Sequence, residues 1–177
     1  MTALTSTKQR LGVDLVRGAV GGLVAGIIFA VANMWFVTSI GRPARTPLLM
    51  ISTIVLGDGA MTNGDANTAT GWVVHIVLSI AFGIVFAVVA RRLRTNGEVA
   101  LAGFVYGGLL YVLNFQILAR VAFETFRGAD QPFEVVVHLV FGLVLALTFY
   151  NSGPRHREPF FGLQRSERDR TAVGHYG

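Results

Sequence analysis

The sequence predicts an all-α integral membrane protein. Its four transmembrane helices form a bundle of two tandem helical hairpins, related by a pseudo-two-fold along the membrane normal. Three observations lead there. Of the 177 residues, 53% are AVILMFWYC and 14% are charged, against about 25% charged in a typical soluble domain. The charges bracket uncharged runs of roughly 20 residues, the length a helix needs to cross about 30 Å of hydrocarbon. The first two runs also resemble the last two. This composition excludes a disordered chain and an ordinary soluble enzyme. The net charge of +5 does not mark a nucleic-acid partner, because the basic residues sit at the ends of apolar runs, where membrane topology places them. With no cysteine, there is no disulfide, thiolate metal site or Cys nucleophile.

Residues 1–17 read as a cytoplasmic N-terminal segment carrying Lys8, Arg10 and Arg17. The first span is Gly18–Ile40. Its basic start and Ala30-Val31-Ala32 resemble a cleavable signal peptide. The run nevertheless continues uncharged to Ile40, and its pattern recurs in the third span, so it is expected to be retained. The outer loop 41–70 follows, with an apolar stretch at 47–57 that is too short to cross and lies in the interface or re-enters. Asp58, Gly59, Asn63, Gly64 and Asp65 after it read as an exposed turn. The second span is Gly71–Ala90, the third Val99–Ala119 and the fourth about Pro132–Ser152, with Glu134 near its start. The tail 153–177 is Arg-rich and cytoplasmic, and Phe160-Phe161 within it is a candidate surface anchor.

Lys and Arg set the direction. Arg91, Arg92 and Arg94 follow the second span and Arg155, Arg157, Arg165, Arg168 and Arg170 follow the fourth. In the other two connections, Arg42 and Arg45 are balanced by Asp58 and Asp65, and Arg120 and Arg127 by Glu124, Asp130 and Glu134. Both termini are therefore expected inside, in a multi-pass protein of a bacterial cytoplasmic (inner) membrane.

The repeat is the most informative feature. Val73-Val74-His75 with Phe82-Gly83, and Val136-Val137-His138 with Phe141-Gly142, share an apolar lead, a His and a Phe-Gly, the second copy being shorter by one helical turn. Asn33 lies about as far into the first span as Asn114 into the third. At 1.5 Å per residue, Asn33, His75, Asn114 and His138 all fall roughly 6–10 Å below the outer boundary. Small residues at four-residue spacing, Gly22 and Gly26, Gly83, Gly103 and Gly107, and Gly142, lie along the same faces and let membrane helices approach closely. The Asn and His side chains are thus expected inside the bundle.

This polar layer has several readings. Two Asn and two neutral His can satisfy one another across helices and fix register. His75 and His138 could instead be axial ligands of a b-type haem, with Gly leaving room for the macrocycle, or could bind a metal, although two His are few for zinc. A solute or ion path through an oligomer is a third reading, since intramembrane ionisable residues are functional candidates. No GxSxG, Walker A or HExxH signature is present, so no catalytic residue is assigned and an unrecognised chemistry at the two His is the remaining alternative.

The opening Arg17-Gly18-Ala19-Val20-Gly21-Gly22, the Pro47-Leu48-Leu49 to Val55-Leu56-Gly57 stretch and the paired His75…Gly83 and His138…Gly142 segments resemble those of small four-span bacterial integral membrane proteins without an assigned function. The likeness covers most of residues 15–150. It implies a membrane location and no particular site residue. The expected role is a non-enzymatic accessory or scaffold component, partnered by the lipid bilayer and by its own copies or other membrane proteins.

Overall fold

The computed structural model describes residues 2–155 and is helical throughout, with no strand among them. α1 runs Thr2–Ser39, α2 Thr46–Leu56, α3 Ala60–Asn63, α4 Thr68–Ala90, α5 Asn96–Tyr111, α6 Ala119–Val121 and α7 Gln131–Leu147. Residues 156–177, including the tail's Phe160-Phe161, lie outside the described residues. The segment 1–17 is not a separate piece: α1 is continuous from Thr2, and Asp14 and Arg17 on it approach to 3.9 Å.

Local chemistry fixes the helix ends. Asn67 Oδ1 accepts from the amide of Thr70 at the start of α4. Thr95 and Glu98 form a reciprocal capping box at the start of α5. Asp130 Oδ1 accepts from the Phe133 amide, with Pro132 in the first turn of α7. Gly57 and Gly64, with φ of 84° and 81°, turn the chain out of α2 and α3 in a conformation that a Cβ would strain.

Three helical stretches are long and apolar enough to cross a membrane: Leu11–Ser39, Thr68–Ala90 and Asn96–Val121. The expected fourth, Pro132–Ser152, is shorter. α7 has 17 residues and ends at Leu147, about 25 Å at 1.5 Å per residue. The chain then turns, with Thr148 bonded back to Leu145 O and Asn151 at a φ of 51°. The third stretch is also not one regular helix. Val112–Leu118 is π-helical, joining α5 to α6. The connection 41–70 is largely structured, with Leu48, Ser52 and Thr53 of α2 buried and the Leu48 backbone pressed against Gly71 of α4.

Two helix pairs carry the structure, α1 with α4 and α5 with α7. Each is made by backbone meeting backbone. A Cβ on Gly18 would meet Gly83 O and Ala87 Cβ, and one on Gly22 would meet Ser79 O. In the other pair, a Cβ on Gly103 would meet Gly142 O and Ala146 Cβ, and one on Gly107 would meet His138 O. The pairs are joined differently, by side chains. Phe86 packs on Tyr106 and Phe149 with ring centroids at 5.3 and 5.7 Å. Tyr106 Oη donates to Phe82 O at 2.8 Å. At one end Arg155, buried, donates to Ala90 O at 2.9 Å and Leu93 O at 2.6 Å. These are carbonyls at the C-terminal end of α4, where a cation is favoured. At the other end Asp58 accepts from the amides of Glu124 and Thr125 and from the Thr125 hydroxyl, at 3.0, 3.1 and 2.6 Å.

The outside of these pairs is apolar. Val20, Val73 and Leu101 are 55%, 62% and 65% exposed, which is how a helix surface solvated by lipid is built. The inside holds Phe86, Leu145 and Phe149 with the small Ala25, Ala87 and Ala90.

Candidate functional site

Where the pairs diverge, toward the ends that carry Ile40 and Asp130, they leave a partly open cavity of about 760 Å³. Its walls come from α1, α2, α4, the α5–π-helix segment, the 3-10 turn Glu124–Gly128 and α7. Asn33, His75, Asn114 and His138 all line it. The structure thus brings the polar residues to one space but not into one network.

His75 Nε2 lies 2.8 Å from Gly26 O. A carbonyl can only accept, so this nitrogen carries the proton. Asn33 Nδ2 bonds within its own helix, to Phe29 O at 3.2 Å. In the other pair, His138 Nδ1 donates to Glu134 O at 2.7 Å, and its Nε2 faces Asn114 Nδ2 at 3.3 Å. With Asn114 donating, His138 is a neutral Nδ1–H tautomer with both nitrogens engaged. The Phe29 ring contacts both imidazoles, at centroid distances of 5.8 Å to His75 and 4.9 Å to His138.

These contacts sort the four residues into separate sets. The Asn and His residues do not satisfy one another as a foursome; Asn114 and His138 pair, while Asn33 and His75 each bond α1 backbone. Both imidazoles are engaged in this arrangement. Both His138 nitrogens are committed, His75 Nε2 is bonded to Gly26 O, and Phe29 packs against both rings.

Their depths differ too. In the glycine register, Gly83 answers to Gly142 and Ala87 to Ala146. Counting back in fours, Ser79 answers to His138 and His75 to Glu134. Reading the repeat from its Phe-Gly, rather than from its His, shows this in the sequence alone. His75 reaches its acceptor because the facing residue is Gly26. The corresponding position in the second pair is Tyr111, whose hydroxyl donates to Gln131 Oε1 at 2.9 Å and accepts from Gln116 Nε2 at 2.6 Å. Glu134 therefore finds no such partner. It is buried, and its Oε2 is a buried side-chain atom with no hydrogen bond, 3.7 Å from His138 Nδ1.

Sequence reasoning placed Glu134 near the start of the fourth span and in the charge balance, assigned it no site, and missed Phe29 altogether. The π-helix that carries Asn114 was also missed; such irregularities concentrate at functional sites. Asp58 outside the helical spans has a carboxyl held below its ordinary value of 3.8, first by the Thr125 hydroxyl and then by the Thr125 amide.

The chain belongs to a family of unknown function (DUF6789), whose model matches residues 13–159. No curated protein and no solved structure matches it.

Proposed function

We propose that this is a non-enzymatic accessory protein of the bacterial cytoplasmic membrane that crosses four times, with both termini inside, and holds a hydrophobic ligand in its outer half. The four crossings are two hairpins related by a pseudo-two-fold, each closed by its own glycine contacts. At about 25 Å, α7 is at the short limit for a crossing. The Arg-rich connection after α4 and Arg155 after α7 favour one side as cytoplasmic.

The cavity carries the reading. Most of its lining is Phe, Leu, Ile, Val and Met, with Asn33, His75, Asn114, Glu134 and His138 among the polar groups. A concave apolar space with few, placed polar groups is the ordinary form of a small-molecule site.

A neutral hydrophobic carbene photoprobe tests it in lipid nanodiscs. Leu110 and Phe141 line the cavity and are each 5% exposed, so lipid-dissolved probe does not reach them. Saturable labelling of these two residues is the expected result. Labelling confined to outward residues such as Val73 and Leu101 would sink the reading.

A further inference from the structure

Glu134 narrows the ligand. We propose that the cavity is a receptor site for an amphiphilic organic cation, with the charged group facing the Glu134 carboxylate and the apolar body among the phenyl rings around His138. This rests on the reading above that the cavity holds a hydrophobic ligand.

The Glu134 side chain is 10% exposed, lines the cavity and leaves Oε2 without a hydrogen-bond partner. Burying a carboxylate without a partner is costly. Nearby protein donors are already used: His138 Nδ1 serves the Glu134 carbonyl and Asn114 serves His138 Nε2. Arg120 and Arg127 bond Gln116, Ala119 O, Arg120 O and Glu124 instead. A ligand is left to supply the compensating charge or donor.

The surroundings favour charge carried on an organic body. The charged residues on the cavity wall are Arg42, Asp130 and Glu134, a balance of one negative when all are ionised. Arg42 and Asp130 are exposed, at the rim, so the deep charge is the Glu134 carboxylate alone. An anionic ligand would meet it head on. A bare metal ion needs several oxygen or nitrogen ligands, and no cluster of three or more His, Asp or Glu exists among the described residues. What surrounds the neighbouring His138 is aromatic. Phe29 and Phe115 lie edge-on to His138 at 4.9 and 5.5 Å, Phe29 contacts Phe141 at 6.4 Å, and Phe115 contacts Phe126 at 6.2 Å. Phenyl faces attract an organic cation, the more so when it is desolvated. With Asn114 donating to its Nε2, His138 is neutral and adds no competing charge.

The test measures binding of radiolabelled tetraphenylphosphonium to the full chain in phosphatidylcholine nanodiscs, against empty nanodiscs. We expect saturable excess binding, competed by unlabelled tetraphenylphosphonium and not by its anionic isostere tetraphenylborate. Glu134→Gln keeps the side chain's shape and the backbone bond to His138, and should weaken binding at least tenfold. Glu134→Asp should retain part of it, and Asp65→Asn in the outer loop should leave it unchanged. Equal binding by Glu134→Gln, or equal competition by tetraphenylborate, would overturn the cation seat. If the wild type takes up no tetraphenylphosphonium while the neutral photoprobe still labels Leu110 and Phe141, the cation inference falls and the hydrophobic site stands. If neither probe enters, both fall.

Discussion

The α1–α4 pair and the α5–α7 pair share a clasp and differ in what they hang on it. Both are closed by glycine on carbonyl at matching positions, Gly18 with Gly83 and Gly103 with Gly142. One turn toward the cavity they part. The first pair presents a glycine, Gly26, to its buried polar residue, and His75 bonds the backbone across the interface. The second presents Tyr111 there, the helix loosens into a π segment, and Glu134 leaves its Oε2 without a hydrogen bond beside His138. Close packing at the clasp fixes geometry and admits no variation. Beyond it the helices diverge, so side chains there are free to serve something other than the fold.

The sharpest way to break this comparison is at the clasp. Gly83→Ala places a Cβ against Gly18 O and Gly22 Cα, and Gly142→Ala places one against Gly103 O and Gly107 N. Backbone cannot step aside as a side chain does, so each should cost about 1–3 kcal/mol in a denaturation titration in mixed micelles. Gly108→Ala, whose Cβ meets only Leu139 Cδ2 at 3.7 Å, should stay within about 0.5 kcal/mol. If Gly142→Ala is tolerated as easily as Gly108→Ala, the two clasps are not equivalent and the matching of Glu134 to His75 loses its basis.

A smaller effect separates the polar residues. A double-mutant cycle between Asn114→Leu and His138→Leu should return a coupling of about 0.6–1.7 kcal/mol, the span found for hydrogen bonds between membrane helices. The same cycle between Asn33→Leu and His75→Leu should return nothing, because each bonds backbone rather than the other. Equal couplings in the two pairs would restore the symmetric layer that the sequence suggested.

That suggestion shows how far the sequence reaches. Uncharged length is enough to find α1, α4 and α5, because burying charge in hydrocarbon is expensive and its absence over 20 residues is informative. It misplaces the end of α7, since Thr148 to Ser152 carry no charge yet turn away from the helix. The four-residue glycine spacing is legible because a close helix contact tolerates little else. The identity of what faces what is not. Aligning the repeat on its conspicuous histidines hides that Glu134, not His138, occupies the station of His75. Phe29, which contacts both imidazoles, is one of 13 phenylalanines and carries no mark in the sequence. The π segment has no signature in hydropathy either, because adding a residue to a turn leaves composition untouched.

The weakest effect lies where the turn after α2 is tied to the 3-10 turn before α7. Asp58, between α2 and α3, accepts three hydrogen bonds from Glu124 and Thr125. Its carboxyl is depressed, mainly by the Thr125 hydroxyl, so the tie is fully present above the ordinary value of 3.8 and is lost as pH falls through the lowered one. Protection factors of the Glu124 and Thr125 amides should therefore hold near neutrality and drop in acid, while those at the glycine clasps do not change. Asp58→Ala should show the acid value at every pH. This tie joins segments outside the packed helices, so its loss should melt neither pair. Amide protection at Glu124 and Thr125 that ignores both acid and the substitution would mean that the 3-10 turn holds itself closed, with Asp58 only resting against it.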